Sequence, residues 1–549
     1  MSVQSFRAAT AALVMLSCAA PALAQGRLQV SAAQAAAPTG PARMLTMDEA
    51  VELALEQNLS LRVERINPRI QDEVVDQARA VWLPVVFGGA SYNNADSPPD
   101  SFLSGSSDTL KTDFFSANTG VQQALPWGAS YQVSFDGSRS TSNNIFNTFN
   151  PRVRSNLNLT YSQPLLRNRE IDGNRQQLLI SRNNRQISDF DLRSTVVTTI
   201  RNVRNAYVDL SFARANLRVQ EQSLELARQT LRDNRTRVEV GTMAPIDIIE
   251  AEAEVARNEE NVIVAEAQIT QAEDRLRALV FDPGTPDFWR LSIETTEEPP
   301  AVDPVDIDVE AAIATALGRR TDLLSARKSL ESTEVNLRYL RNQLLPQVNL
   351  QVDYGTTGLA GKQTIREPGF PPGDILEVLN RGFGSAVTDV FGLDYPTWTL
   401  GVQVNYPLGK SAAKASLART ELQHQQARLQ LQNLELQVGT QIRDVVRTLQ
   451  TAQKRLAATR SALALAEKRL EAEQKKFGVG MSTSFLVFQA QRDLALARSN
   501  ELRAAVDYYK AKNDFEAVQE TSVGGSTGIQ VAGSSAVSVS TGQPTTQGR

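Results

Sequence analysis

The sequence predicts a mixed α/β membrane architecture: a β-barrel continuous with a long α-helical barrel, built on an internal two-fold repeat. Three observations carry this. The chain matches itself at two fixed offsets, its longest segments place apolar residues every seven positions, and other segments alternate apolar with polar residues.

The N-terminus comes first. Arg7 precedes an apolar stretch from Ala8 to Leu16, and Ala22-Leu23-Ala24 offers small residues for cleavage. That order reads as a secretory signal peptide over 1–24, removed near Gln25. Cys18, the one cysteine, follows Met15-Leu16-Ser17, without leucine where a lipoprotein signal places it. Cleavage after Ala24 leaves no cysteine, hence no disulfide or thiolate site. Residues 25–43 read as a linker.

The repeat sets the organisation. At an offset of 262, Ala50-Val51 matches Ala312-Ile313, Leu61 matches Leu323, Pro84 matches Pro346 and Tyr92 matches Tyr354. At 239, Val203-Arg204 matches Ile442-Arg443, Val240-Gly241 matches Val479-Gly480 and Ala251 matches Ala490. Each unit therefore reads helix, β segment, long helix, sharp turn, helix. The first spans 44–281, with strands about 85–163 and a long helix pair about 186–280. The second spans 309–520, with strands about 346–406 and a helix pair about 412–520. An acidic, proline-rich connection, 282–308, separates them. Residues 521–549, rich in Gly, Ser, Thr and Gln, read as a disordered tail.

Val196, Val203, Leu210, Leu217, Leu224, Leu231 and Val238 form one seven-residue series; Ile442, Leu449, Leu456, Leu463, Leu470 and Phe477 form the other. A strict heptad winds helices left-handedly around a neighbour. Val445, Ala452, Thr459 and Ala466 occupy companion positions and let helices lie close. At ~1.5 Å per residue the run from Ala412 to Lys476 would reach about 100 Å. No globular core is that long.

Val348, Leu350, Val352 and Tyr354 alternate with Asn349, Gln351 and Asp353. Trp398, Leu400, Val402, Val404 and Tyr406 alternate with Thr399, Gly401, Gln403 and Asn405, and Leu157, Leu159 and Tyr161 with Asn158, Thr160 and Ser162. Such a pattern fits a half-buried soluble sheet or a lipid-facing, water-lined barrel. The barrel is favoured by strands near the ~9–11 residues a tilted span needs. Long Gly, Pro, Ser and Asn-rich loops point the same way. So does the concentration of 19 of the 33 aromatics within Trp82–Tyr161 and Tyr354–Tyr406, as girdles require. Pro84, Pro346, Pro164 and Pro407 mark helix–strand junctions.

Two units supply four main strands, too few to enclose a lumen. An open edge in lipid leaves backbone groups unsatisfied, so other copies must complete the sheet. Tyr131, Val133 and Phe135 alternate with Gln132, Ser134 and Asp136 after the turn Pro126-Trp127-Gly128. This predicts an extra hairpin, about Thr112 to Gly137; in the wall it would make six strands per copy, but an extension at the outer rim is favoured.

Enzymatic chemistry finds few residues. His424 is the sole histidine, in a Gln-rich helical stretch, and no run of ~18 apolar residues offers a membrane helix. Serine triads, zinc–histidine sites and cysteine nucleophiles lack their members. No catalytic, cofactor or metal residues are expected. With 57 basic against 61 acidic residues, no basic surface invites nucleic acid.

The duplicated pattern, the junction Tyr161-Ser162-Gln163-Pro164-Leu165-Leu166, and the turns Val240-Gly241-Thr242-Met243-Ala244-Pro245-Ile246-Asp247 and Val479-Gly480-Met481 resemble the TolC family of outer-membrane efflux proteins, over about residues 44–520. The resemblance implies a homotrimer in the outer membrane of a Gram-negative bacterium. Its β-barrel contacts outer-membrane lipid and its α-helical tunnel extends into the periplasm. Such ducts dock onto a periplasmic adaptor protein and an inner-membrane efflux pump or ABC exporter, and carry no energy source; drug or metal efflux and type I secretion are not separated.

The resemblance also places the periplasmic tip and adaptor contact at Val240, Gly241, Thr242, Val479, Gly480 and Met481. It matches Asp247 to a constriction aspartate, although a helix N-terminal carboxylate favoured by the dipole explains that residue equally well. Where better-known members place an aromatic hydroxyl, a basic residue and acidic ring residues, this chain has Phe477, Ser482, Leu486 and Gln489. The expectation is a closed state held more by apolar contacts around Phe477, Phe485 and Leu486 than by a polar latch or a cation-attracting ring. The rival reading is an exported periplasmic coiled coil with a small soluble sheet and no pore.

Overall fold

A computed structural model describes residues 42–99, 109–284, 288–296, 307–369, 373–406, 408–409 and 411–522. The signal peptide, Cys18, Pro407, nearly all of the tail and parts of the 282–308 connection lie outside these residues. In chain order, the first half comprises β1 (Ala42–Leu45), α1 (Met47–Gln57), α2 (Leu59–Glu64), α3 (Asn67–Ala80), β2 (Val85–Ser97), β3 (Leu110–Ala124), β4 (Ser130–Ser142), β5 (Phe149–Pro164), α4 (Gly173–Glu239) and α5 (Ile246–Val280). The second comprises β6 (Ser292–Thr295), α6 (Val309–Arg319), α7 (Thr321–Gln343), β7 (Gln347–Arg366), β8 (Ile375–Arg381), α8 (Phe383–Phe391), β9 (Pro396–Asn405), α9 (Ala412–Gly478) and α10 (Ser484–Val518).

The helices begin where side chains can satisfy free N–H groups. Thr46 and Glu49 form a reciprocal capping box at α1, Asp172 caps α4 and Ser411 caps α9, as hydroxyl and carboxylate oxygens do at N-termini. The long helix of each half has 67 residues and the return helix 35. At ~1.5 Å per residue the long ones reach about 100 Å. α4 begins at Gly173, well before the expected start near 186, because Asp172 caps it directly after the strand junction.

The heptad positions pack within each helical hairpin. Leu449, Ala452 and Leu456 of α9 bury against Ala504, Ala505, Tyr508 and Ala511 of α10, and farther along Leu470 meets Ala490 and Leu494. Each buried Leu contributes on the order of 1.5–3 kcal/mol, so the hairpin holds along its length. Across the other seam, where α10 lies against the first hairpin, the contacts are polar. Lys510 pairs with Asp209 at 2.6 Å, Arg204 with Glu516 at 2.8 Å, and Asn513 donates to Asn205 at 2.9 Å.

Two corresponding locks tie the short helices to the hairpins. Asn58 Nδ2 donates to the Leu279 carbonyl at 2.9 Å, and Arg320 donates to the Val518 carbonyl at 3.4 Å. These four residues are related by the two sequence offsets. Arg320 is buried, with Asp322 as its charge partner at 2.6 Å. Within the 282–308 connection, β6 pairs parallel with β1, and the buried Ile293 and Leu45 join the core of α1, α4 and α5. What read as a linker thus contributes a strand to this packed belt.

The principal sheet runs β2-β3-β4-β5-β7-β9, with β8 pairing the outer part of β7 and continuing the β9 edge. This corrects the expectation for the extra hairpin. β3 and β4 are not a rim extension: they pair along their lengths with β2, with each other and with β5. Their connecting turn, Leu125–Ala129, lies at the helix-side end. There Gly128, at φ +92°, packs against Asn168 and Arg175 so closely that a Cβ would stand 2.7 Å from the Asn168 carbonyl oxygen. The count of four main strands becomes six.

One row of cross-strand neighbours, Val86, Val121, Val133, Leu159, Tyr354 and Trp398, crosses all six strands on the apolar face. The next row on the opposite face reads Gln122, Gln132, Thr160, Asp353 and Thr399 from β3 onward. On that face Asp136 accepts from Asn158 and Ser134, and Asp353 from Thr160. The apolar face is bare at both edges: Val86 is 74% and Trp398 76% exposed. Near its outer end α8 lies on it, seated on Ala360, Gly358 and Thr356, with Phe391 stacked on Phe135.

No helix among the described residues is long and apolar enough to cross a membrane.

Candidate gating and docking tip

The far ends of the two helical hairpins carry the residues singled out in the sequence. α4 ends at Val240 and α9 at Val479, and both ends adopt the same turn. Gly241 N–H donates to the Val238 carbonyl and Thr242 N–H to that of Arg237; Gly480 donates to Phe477 and Met481 to Lys476. These paired bonds satisfy the last carbonyls of a helix when the residue after the cap is left-handed. Gly241 has φ +75° and Gly480 φ +81°. No atom approaches within 4 Å of where a Cβ would stand at either. Glycine is therefore required here by backbone conformation, not by space.

Around the turns lies an exposed apolar set. Val479 is 72% and Met481 78% exposed, and Val240, Ile246, Ile249 and Phe485 are also open. Leu486 is exposed and Gln489 half-buried, whereas Val487, Phe488 and Ala490 carry the local packing. In the single chain Phe485 and Leu486 are thus open to solvent.

Within the chain the two tips are joined by polar contacts. Ser484 Oγ donates to Asp247 Oδ1 at 2.8 Å. Asp247 lies in the first turn of α5, where the positive helix end favours a carboxylate. Ser484 is buried at the start of α10. The Arg237 guanidinium lies 4.4 Å over the Phe477 ring, a cation–π contact. One layer up, the buried Glu254 accepts from Arg492 at 3.3 Å across the seam and from Arg257 at 3.2 Å on its own helix. Gln491 donates to Thr230 at 3.1 Å.

Ser482, in place of a basic residue, turns back to its own hairpin and donates to Glu473 at 2.9 Å. Hydrogen bonds from Lys476, then Ser482, hold the Glu473 carboxyl below its ordinary value, and Lys475 does the same to Glu471.

Asp247 and Phe477 are therefore placed at the tip seam with partners the sequence did not reveal: Ser484 and Arg237. A serine opening a helix is ordinary, and an arginine on a long charged helix is one of many. The 239-residue offset pairs Ser484 with Pro245, so the repeat gave no signal either. His424 lies half-buried in α9 beside Glu334, with its Nε2 3.5 Å from that carboxylate. Among the described residues no group of three or more His, Cys, Asp or Glu is arranged to hold a metal ion.

Compared with known proteins, the chain matches a family model described as "Outer membrane efflux protein" over residues 50–280 and again over 312–518. The outer membrane efflux protein BepC of Brucella suis biovar 1 (strain 1330) is 23% identical over 466 residues, covering 84% of this chain and 82% of that protein. The outer membrane protein TolC of Vibrio cholerae serotype O1 is 24% identical over 323 residues, 58% of this chain and 67% of that protein. Among solved structures, the Campylobacter jejuni CmeC outer membrane channel is similar with a TM-score of 0.61 at 16% identity, over 86% of this chain and 85% of that one. At that identity the likeness establishes the fold.

Proposed function

This chain belongs to the outer membrane efflux protein family, and we propose that it works as a homotrimeric exit duct: three copies close one wall in the outer membrane, and their helical hairpins extend it through the periplasm to a gated tip. It is an outer-membrane efflux channel.

The observation that carries the reading is the union of two surfaces in one chain. The sheet is apolar on one face, polar on the other and unpaired at both edges, which lipid does not tolerate in a single copy. The same chain sends two helices about 100 Å long away from that sheet, each folded back at its far end by a shorter return helix. A polar face shared among copies conducts water-borne cargo passively, and the driving energy comes from an inner-membrane efflux pump or ABC exporter.

The tip supplies the control. The seam contacts range from ~0.2–1 kcal/mol for an exposed ion pair to about 1.5–3 kcal/mol for the Ser484–Asp247 bond, and they are fewer than the apolar contacts that repeat along each hairpin. A pull on the tip therefore parts the seam between hairpins before it unzips either one. Asp247–Ser484 and Arg237–Phe477 hold that seam closed. The exposed Val240, Val479 and Met481, with Gly241, Thr242 and Gly480, form the docking surface for the periplasmic adaptor protein. Phe485, Leu486 and Gln489 line the constriction in the closed assembly.

Fractionation followed by planar-bilayer recording tests the duct. The mature chain should require detergent for extraction, run as a trimer and conduct in single-channel steps. Recovery as a soluble periplasmic monomer without conductance would refute it.

A further inference from the structure

The strand count has a consequence for the pore. Up and down directions alternate from β2, which leaves α3 outward, to β9, which returns to α9. An even number of strands gives each copy antiparallel edges, so β9 of one copy can pair with β2 of the next and the ring closes without a parallel joint. β3 and β4 obey the same in–out rule as the other strands: Val121 and Val133 continue the apolar row, and Gln122 and Gln132 the polar one. Their turn is pinned at the inner end of the wall, where Arg175 donates to the carbonyls of Asn168, Arg169 and Glu170 beneath Gly128.

We propose that the assembled outer-membrane wall has eighteen strands, six from each of three copies, and not the twelve that the two repeats alone would supply. The proposal rests on the trimeric duct above. With strands ~4.8 Å apart and tilted ~40°, eighteen make a backbone cylinder about 36 Å across and twelve one about 24 Å. Four strands per copy, β2, β5, β7 and β9, continue directly into helices. The β3–β4 hairpin does not, so the wall widens without adding helices to the tunnel. The barrel then stands about as wide as a cylinder of twelve helices ~9–10 Å apart, and the tip remains the narrowest point of the path.

The hairpin can be excised without reversing any strand, because removing residues 110–142 leaves β2 running outward and β5 returning. Electron cryomicroscopy of the detergent-extracted trimer should show a wall about 36 Å across with six strands per copy. The Δ110–142 trimer should show about 24 Å over an unchanged helical cylinder. A wild-type trimer with a twelve-strand wall, its hairpin folded off the sheet, would overturn the proposal. If the shortened chain does not assemble, the wild-type density decides alone. A wild-type soluble monomer would instead strike at the duct on which the proposal rests.

Discussion

Ser484 and Asp247, 237 residues apart in the chain, meet at the tip through one hydrogen bond of 2.8 Å. It joins the first turns of the two return helices, at the level where the two halves must separate if the tip is to open. A hydrogen bond to a charged group contributes about 1.5–3 kcal/mol, enough to bias a two-state tip by roughly tenfold or more.

Asp247→Ala and Ser484→Ala should each raise the open probability of the purified trimer in a bilayer. The double variant should add little to either, since both remove the same bond. Independent, additive effects would mean that the two residues do not act as a pair. Arg237→Ala, which removes the cation over Phe477, should give a smaller rise, in keeping with ~0.5–1 kcal/mol for an exposed cation–π contact.

The turn glycines make a conformational prediction. A side chain in left-handed backbone costs on the order of 1–2 kcal/mol, and Asn tolerates that region better than a β-branched residue. Gly241→Val and Gly480→Val should therefore weaken adaptor docking, measured by co-purification or surface binding. Asn at the same positions should retain most of it. Equal losses for Asn and Val would point to space around the turn and not to its backbone.

Gly358 and Gly401 offer a matched pair in the wall. A Cβ at Gly358 would fall 1.9 Å from the Ala386 carbonyl oxygen of α8, whereas nothing lies within 4 Å at Gly401. Gly358→Ala should displace α8 and expose residues 373–395 to protease in the assembled channel. Gly401→Ala should leave the digestion pattern unchanged.

An acid response is expected at Glu473. Its folded-state pKa is depressed, first by the Lys476 hydrogen bond and then by Ser482. Its stabilising contribution is therefore fully present above the ordinary glutamate value of about 4.3 and is lost as pH falls through the lower folded value. Conductance of the wild type should change only below that ordinary value. Glu473→Gln should show the low-pH behaviour already at neutral pH and a flatter profile on acidification.

The two repeat-related locks predict unequal losses. Asn58→Ala frees the Leu279 carbonyl, at about 1–3 kcal/mol for a lost buried hydrogen bond. Arg320→Ala also takes its charge partner from Asp322, which is partly exposed, so the loss lies below the ~3–5 kcal/mol of a fully buried pair but adds to the lost carbonyl bond. Thermal melts of the trimer should rank Arg320→Ala below Asn58→Ala, and both below wild type.

Periodicity is a local property, and what depends on it was legible in the residues. The heptads from Ile442 to Leu470 placed the packed face of α9, and the alternation from Val348 to Tyr354 marked a two-faced strand. Gly241 and Gly480 marked the turns because only left-handed backbone demands glycine there. The sequence by itself thus determined two helical hairpins, a two-faced sheet and the positions of their junctions. Pairing is not local. Whether β3 and β4 stand in the wall or above it depends on which strands they neighbour. Alternation reads the same in either place, because it records two faces and not two partners. The Ser484–Asp247 contact likewise exists only once two hairpins lie side by side, since hydroxyl and carboxylate carry no address in the chain. Tertiary structure alone decided the six-strand sheet and the polar contact at the tip: both join segments far apart in sequence, fixed by the packing that brings them together.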